Sequence, residues 1–257
     1  MFKKILIVYS EKLSEKHLKT VEKVREILKN ENTHVIRANE IDDIYFNDVD
    51  LVLTIGGDGT FIRAATLVKD AIIMGINSEP EFSEGGLTSI KEDELDFINE
   101  ILKGKFKTTE KDRIKVKING KELKEIVLNE VYVGAEHQYH TSRYIIKTKE
   151  KQEEQRSSGV LIATGSGSHA WYKSAGGAPF TSDSKKLRFL VREPFLGNLF
   201  KPKMLNGEIK QGDKIEFISK RHAEQVIALD SNKLYPFNNN SVAEIELSEN
   251  PLRVIVK

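Results

Sequence analysis

The stretch that most constrains the fold is residues 51–60, which read Leu-Val-Leu-Thr-Ile-Gly-Gly-Asp-Gly-Thr. Its first five residues are almost continuously apolar and favour β-structure, which is typical of a buried strand in a parallel sheet. The glycines allow the backbone to approach a phosphate closely, and a helix predicted over residues 60–69 directs its N-terminal amides to the same point. Asp58 adds a carboxylate there. A plain tight turn is the alternative, because Gly-Gly and Asp-Gly are also common in such turns.

The residues on either side of this turn predict a parallel sheet with helices packed on it. Continuous apolar runs indicate strands covered on both faces, and apolar residues three or four positions apart indicate helices. In chain order we predict a strand at 4–9, a helix from a cap at Ser14 to around Asn30, strands at 33–37, 48–55 and 71–76, and a helix over 92–103. This order predicts an N-terminal doubly wound parallel α/β domain at residues 1–107, with ligands beyond the carboxyl ends of the strands.

Residues 108–257 have the pattern of a second, β-rich domain. Ile114–Ile118 alternates strictly between apolar and charged residues, and Asn119-Gly120 is a typical hairpin turn before a strand-like stretch at 123–133. Further strands are predicted at 143–148, 159–163, 187–191, 214–218, 225–229, 242–247 and 252–256. Few helices interrupt them, so we predict a mostly antiparallel β-sandwich-like domain whose last strand can pack back on the N-terminal domain. The fold class is therefore α/β followed by β-rich.

Composition limits the classes of partner. Lys and Arg total 40 against 39 Asp and Glu, a formal charge of +1, which predicts no general affinity for nucleic acid or membranes. No apolar run is long enough to cross a membrane, and the chain starts on a strand without a visible targeting segment, so we expect a cytoplasmic protein. The chain has no cysteine, and the histidines at 17, 34, 137, 140 and 222 lack the spacing of metal ligands.

A second glycine-rich loop lies in the β-rich half. Residues 164–171 read Thr-Gly-Ser-Gly-Ser-His-Ala-Trp, and Tyr-Lys-Ser-Ala-Gly-Gly-Ala follows at 172–178. Glycines alternating with hydroxyl residues offer many hydrogen-bond groups to a ligand, and the Trp171 ring offers a flat face. A flexible linker has a similar composition, but this loop lies between an apolar strand and an aromatic pair. We therefore expect an ordered, ligand-binding loop.

The two glycine-rich loops, with Asn129-Glu130 between them, resemble the NAD kinase family. That family carries a Gly-Gly-Asp-Gly turn, a strand ending in Gly-Ile/Val-Asn, an Asn-Glu pair, a Thr-Pro-Thr-Gly-Ser-Thr-Ala-Tyr loop and a Ser-Ala-Gly-Gly-Pro segment, in the order found here. Ser158, Gly165, His169 and Trp171 stand where the family usually has Asp, Pro, Thr and Tyr. With these departures the chain looks closer to the divergent branch that includes the animal mitochondrial NAD kinase.

The resemblance implies transfer of a phosphoryl group from ATP to the 2′-hydroxyl of the adenosine ribose of NAD, or of NADH, to give NADP. It implies that Asp58 lies against this hydroxyl as general base, orients it, or helps to hold a divalent cation. Amides of Gly56, Gly57, Gly59 and Thr60 would contact phosphates. Mg²⁺ is expected on the triphosphate, without a dedicated protein site. The NAD-binding residues that the family motifs imply are Asp58, Gly59, Asn129, Glu130, Arg156, Ser158, Thr164, Ser166, Gly167, Ser168, His169, Ala170, Trp171, Tyr172, Lys173 and Ser174. Asp230 is a candidate match to a family Asp before the last strands.

Two other classes of function share some of these features. Lipid kinases of the diacylglycerol and sphingosine type, and phosphofructokinases, carry a similar glycine turn, but residues 164–171 do not suggest the apolar pocket that a lipid needs. A dinucleotide-binding sensor without turnover is the second alternative, and the intact Asp58 argues against it. The donor can be ATP, another triphosphate or polyphosphate. The family is oligomeric, and edge strands in the β-rich half lead us to expect a homo-oligomer, a dimer or tetramer.

Overall fold

The computed structural model describes residues 2–12, 14–137, 139–198, 201–221 and 224–257. The chain forms two units, the first of which runs to Glu110 and also includes Leu252–Lys257, while Lys111–Pro251 form the second. The domain boundary between residues 107 and 108 that the sequence suggests remains a prediction. None of the helices in the described ranges is long and apolar enough to cross a membrane.

Strands and helices alternate in the first part of the chain, and strands dominate the rest. The first elements are β1 (Ile5–Tyr9), α1 (Glu15–Ile27), β2 (Thr33–Arg37), β3 (Leu51–Gly56), α2 (Asp58–Ala65), β4 (Ile72–Asn77), β5 (Ile90–Lys91), α3 (Phe97–Leu102) and β6 (Lys107–Lys111). They are followed by β7 (Ile114–Ile118), β8 (Lys121–Glu122), β9 (Glu130–Ala135), β10 (Ser142–Lys147), β11 (Gln152–Ser157), β12 (Gly159–Ala163), α4 (Trp171–Ser174), β13 (Lys186–Arg192), β14 (Asn206–Lys210), β15 (Lys214–Ser219), β16 (Gln225–Leu229), β17 (Lys233–Pro236), β18 (Val242–Leu247) and β19 (Leu252–Val256). Short 3₁₀ segments lie at Ala38–Glu40, Asp43–Phe46 and Gly167–His169.

A seven-stranded sheet forms the first unit. Its order is β2-β1-β3-β4-β19-β6, with β5 paired to β4, and the pairs β1–β2, β1–β3, β3–β4 and β4–β19 are parallel. Every residue of β3 and β4 is buried, as expected for strands covered on both faces. At the carboxyl ends of these strands Gly56 pairs with Asn77. The glycine turn therefore lies at the edge of the sheet where ligands of such folds bind.

Two six-stranded antiparallel sheets form the second unit. One has the order β11-β10-β15-β18-β7-β8 and the other β14-β13-β12-β9-β16-β17. Alternate residues of both sheets meet in one apolar core, to which Phe217 and Ile245 contribute from the first sheet and Ile162 and Phe189 from the second. The predicted fold class, a parallel α/β part followed by a β-sandwich-like part, is confirmed.

The helix predicted over residues 60–69 has different ends in the structure. It begins at Asp58 and stops at Ala65. The early start follows from the glycine turn, because the Gly57 carbonyl already accepts a hydrogen bond from the Thr60 amide at 3.1 Å. Asp58 is therefore part of the first helical turn and does not precede it.

Two other predicted elements are shorter than expected. The helix predicted over 92–103 is wrong in its first half, because α3 begins only at Phe97. Before α3, the Glu94 carboxylate accepts a hydrogen bond from the Lys91 amide and closes a turn. The strand over 123–133 begins only at Glu130. The amides of Leu128 and Asn129, directly before this strand, donate to the side chain of Asp230.

Candidate functional site

The glycine turn joins β3 to α2. Gly57 caps the helix without a side-chain bond, and the first amide that donates within this turn is that of Thr60. The amides of Asp58 and Gly59 therefore have no partner within the helix. A β-carbon at Gly59 would contact nothing within 4 Å, which leaves room for a phosphate at this helix N-terminus. Gly56 lies against Thr60, where a β-carbon would come within 2.5 Å of the Thr60 Oγ1. Thr60 is buried and its amide is engaged by Gly57, so Thr60 closes the turn and offers no free amide to phosphate.

The carboxylate of Asp58 is held by two backbone amides from a different segment. Its Oδ1 accepts a hydrogen bond from the Leu87 amide at 2.8 Å, and its Oδ2 accepts one from the Gly86 amide at 3.0 Å. Both donors belong to residues 78–89, which we call the β4–β5 loop. A negative charge in the first turn of a helix is also stabilised by the helix dipole. The carboxylate is thus fixed in direction, while further lone pairs on both oxygens remain for a ligand.

The β4–β5 loop is organised by a buried asparagine at its base. The Nδ2 of Asn77 donates to the Ser83 carbonyl at 3.0 Å, and its Oδ1 accepts from the Glu79 amide at 3.2 Å. His17, fully buried in α1, lies with its Nδ1 2.8 Å from the Ser78 Oγ. Burial lowers the pKa of His17, so the ring is neutral at physiological pH. These contacts tie the loop to β4 and α1.

The second glycine-rich loop is closed by its own hydroxyl groups. The Thr164 Oγ1 donates to the Leu128 carbonyl at 2.6 Å and accepts from the Gly167 amide at 3.1 Å. The Ser168 Oγ donates to the Gly165 carbonyl at 2.7 Å. Both hydroxyl residues are fully buried. The hydroxyls of Thr164 and Ser168, which the sequence assigns to NAD binding, thus hold the loop together.

Gly167 lies directly on the backbone of Asn129. A β-carbon at this position would come within 2.0 Å of the Asn129 carbonyl oxygen, so only glycine fits. The Thr164 amide donates to the same carbonyl at 2.9 Å. The loop and the Asn129-Glu130 pair, which the sequence analysis links only by family resemblance, are thus adjacent in the structure.

Asp230 holds the Asn129-Glu130 pair through its backbone. Its Oδ2 accepts from the Leu128 amide at 2.8 Å, and its Oδ1 accepts from the amides of Asn129 at 2.7 Å and Glu130 at 3.2 Å. Burial raises the pKa of Asp230 to about 6, although the three amides oppose that shift. Burial and the charge of Asp230 raise the pKa of Glu130 to about 8. Glu130 is therefore largely protonated at neutral pH and can both donate and accept hydrogen bonds.

Three buried polar atoms near this loop lack a hydrogen-bond partner in the described part of the protein. They are the Oδ1 of Asn129, the Oε2 of Glu130 and the Oγ of Ser166. A buried polar atom without a partner costs about 1–3 kcal/mol. We therefore expect these atoms to meet a ligand that carries several hydrogen-bond donors and acceptors.

Trp171 begins α4, is half-buried and contacts one aromatic ring and one guanidinium group. Its ring centroid lies 5.5 Å from that of Tyr132, and the Arg192 guanidinium lies 5.2 Å from the Trp171 ring. Tyr172 is buried beside it. Of the other predicted contacts, the side chains are exposed at His169, Ala170, Lys173 and Ser174 and half-buried at Arg156 and Ser158.

The described residues do not build a metal site of their own. No group of three or more His, Cys, Asp or Glu side chains within them could hold a metal ion, and His222 lies outside the described residues. At the glycine turn Asp58 keeps lone pairs beyond its two amide bonds, so it fits as a single ligand. A divalent cation at this turn would need most of its ligands from phosphates and water.

Comparison with known proteins assigns the chain to a family. Residues 3–80 match the model of the ATP-NAD kinase N-terminal domain. A protein from Oryza sativa subsp. japonica named probable NADH kinase is 30% identical over 233 residues, which cover 82% of this chain and 72% of that protein. The chain belongs to the NAD kinase family.

Two further similarities concern a human relative and the fold. The human protein named NAD kinase 2, mitochondrial, is 27% identical over 202 residues, which cover 60% of this chain and 46% of the human protein. The crystal structure of an NAD kinase from Archaeoglobus fulgidus in complex with ATP has a TM-score of 0.75 over 98% of this chain and 92% of that chain, at 23% identity; this likeness supports the fold. The family predicted from the glycine-rich motifs is confirmed, which favours a dinucleotide kinase over the lipid-kinase and phosphofructokinase alternatives.

Proposed function

We propose that this member of the NAD kinase family transfers a phosphoryl group from ATP to the 2′-hydroxyl of the adenosine ribose of NAD or NADH. The product is NADP or its reduced form. The named relatives include both an NADH kinase and an NAD kinase, so the proposal covers both oxidation states of the acceptor.

The observation that carries this proposal is the set of unpartnered polar atoms beside the second glycine-rich loop. The Asn129 side chain can accept from and donate to an adenine edge, and its Oδ1 has no partner in the described ranges. A protonated Glu130 suits ribose hydroxyls, which also donate and accept. Gly167 brings the loop against Asn129. An adenosine group supplies donors and acceptors for all three atoms.

In the first unit we assign the phosphates to the glycine turn. Gly57 and the amides of Asp58 and Gly59 are at the N-terminus of α2, where an anion is stabilised. Toward the acceptor hydroxyl, Asp58 can act as general base, orient the hydroxyl, or contribute one ligand to a divalent cation. General-base help is worth on the order of 10²–10⁴ in rate, and positioning carries much of the catalysis in phosphoryl transfer.

A divalent cation such as Mg²⁺ is part of the proposal. When bound to the triphosphate, it would neutralise charge on the phosphate oxygens. Asp58 is the residue that would contact it. Assembly into a homo-oligomer and a cytoplasmic location remain predictions from the sequence.

An acceptor panel tests the proposal. The purified protein is incubated with labelled ATP and Mg²⁺ and with NAD, NADH, diacylglycerol, sphingosine or fructose 6-phosphate, and label transfer to each acceptor is measured. We expect transfer to NAD or NADH and none to the others. Transfer to a lipid or a sugar alone would overturn the proposal. Binding of NAD without transfer from ATP, other triphosphates or polyphosphate would support the sensor alternative.

A further inference from the structure

The β4–β5 loop holds the Asp58 carboxylate through two backbone amides. We propose that this loop is a positioning element for phosphoryl transfer, in which the amides of Gly86 and Leu87 fix the Asp58 carboxylate in the direction that meets the acceptor hydroxyl. This inference rests on the proposed function, because it requires a phosphoryl acceptor at Asp58. Gly86 and Leu87 lie outside the glycine-rich motifs that resemble the NAD kinase family.

Each oxygen of the Asp58 carboxylate accepts a hydrogen bond from one backbone amide. The bond from Leu87 to Oδ1 is 2.8 Å long and the bond from Gly86 to Oδ2 is 3.0 Å long. Hydrogen bonds to a charged acceptor are the stronger kind. Rotation of the carboxylate about its Cβ–Cγ bond would weaken both bonds at once. The unused lone pairs therefore point in fixed directions, and fixed orientation is a main source of rate in group transfer.

The loop that supplies these amides is tied down at both ends. At its start, the Ser78 Oγ lies 2.8 Å from the Nδ1 of the buried His17. At its end, the Ser89 Oγ donates to the Ile255 carbonyl at 2.5 Å. The first contact anchors the loop to α1 and the second anchors it to β19. The segment that carries the amide pair is thus held at both ends by side-chain hydrogen bonds.

The loop also lies close to the glycine turn. A β-carbon at Gly57 would come within 2.5 Å of the Ser83 Oγ, so the second glycine of the motif provides space for the loop. Gly85 has a φ of +67°, and a β-carbon there would come within 2.6 Å of the Asn77 Nδ2. Both glycines are therefore needed to bring the amides to Asp58.

This geometry complicates the obvious substitution. In Asp58→Asn one oxygen becomes an NH₂ group, which would face an amide donor and could not accept from it. That variant therefore removes the negative charge and also loses one of the two hydrogen bonds that join residue 58 to the loop. A test of the loop must leave Asp58 unchanged.

The test therefore removes one amide donor and keeps every side chain. Leu87 is replaced by its α-hydroxy acid analogue through nonsense suppression, so that an ester oxygen takes the place of the N–H group. The matched control is the same exchange at Phe82. The amide of Phe82, in the same loop, donates to the Glu79 carbonyl at 3.0 Å and not to Asp58. Gly85→Ala is a second variant, which displaces the loop by steric contact.

The readout is kcat and KM with ATP and NAD. We expect the Leu87 ester to lower kcat about tenfold, as for loss of one hydrogen bond to a charged group. The KM for NAD should stay within about twofold, because binding groups are unchanged. The Phe82 ester should keep kcat within about twofold, and Gly85→Ala should lower it. A Leu87 ester with wild-type kcat, or an equal loss in the Phe82 ester, would overturn the inference. An inactive unmodified protein would instead refute the proposed function.

Discussion

Replacing Asp230 tests how the Asn129-Glu130 pair is held. Asp230→Ala removes the acceptor of three buried amides, which lie 2.7, 2.8 and 3.2 Å from the carboxylate. Each amide left without a partner costs about 1–3 kcal/mol, so the free energy of unfolding should fall by about 3 kcal/mol or more. The residue also has a φ of +48°, a conformation that costs alanine a further ~1 kcal/mol.

Asp230→Asn is the matched variant. Its amide oxygen can replace Oδ1 and keep the bonds to Asn129 and Glu130, whereas the Leu128 amide loses its acceptor. We expect a loss of about 1–2 kcal/mol. Urea unfolding followed by fluorescence measures both variants, because Trp171 is the single tryptophan and lies in the second unit. Equal stability of the two variants, or wild-type stability of Asp230→Ala, would refute the reasoning.

Three further predictions concern pH and packing. Glu130→Gln should gain stability relative to the wild type as pH rises from 4.5 towards 8, because the carboxyl stays protonated in the folded state and ionises in the unfolded state; a constant difference in urea unfolding over this range contradicts it. Burial lowers the pKa of His17, so stability should fall as pH drops below 6.5, and His17→Asn should flatten that slope in the same assay. Gly167→Ala brings a β-carbon within 2.0 Å of the Asn129 carbonyl, so it should cost about 1–3 kcal/mol and weaken NAD binding in calorimetry; wild-type affinity would show that the contact is unimportant.

The apolar pattern predicts the central strands of the sheets, because strands buried on both faces consist mostly of apolar residues. β3 and β12 are buried at every residue and read as continuous apolar runs. The strands that the sequence did not predict include β11, β14 and β17, each at the edge of a sheet. β11 reads Gln-Glu-Glu-Gln-Arg-Ser, which contains no apolar residue, although Gln155 and Ser157 are buried. Such strands are specified by backbone pairing to a neighbour, which leaves little trace in the apolar pattern.

The candidate site was predictable only where its residues are close in sequence. Both glycine-rich loops stand out by local composition. The acceptor for the Asn129 amide is Asp230, which lies 101 positions away, so its role appears only in the folded chain. The hydrogen bond from the Leu87 amide to Asp58 also joins residues that are distant in sequence, so it too appears only in the folded chain. Composition also does not distinguish a hydroxyl that closes its own loop, such as that of Thr164, from one that faces a ligand.

The initial rate of NADP formation from NAD, ATP and Mg²⁺, measured for the wild type and for Asp58→Asn, tests the central claim most directly. The wild type should form NADP, and the variant should lose activity by about 100-fold or more. Calorimetry should show that the variant still binds NAD, because the adenosine contacts are assigned to the second unit. Undiminished NADP formation by Asp58→Asn would contradict the role given to the glycine turn and its carboxylate.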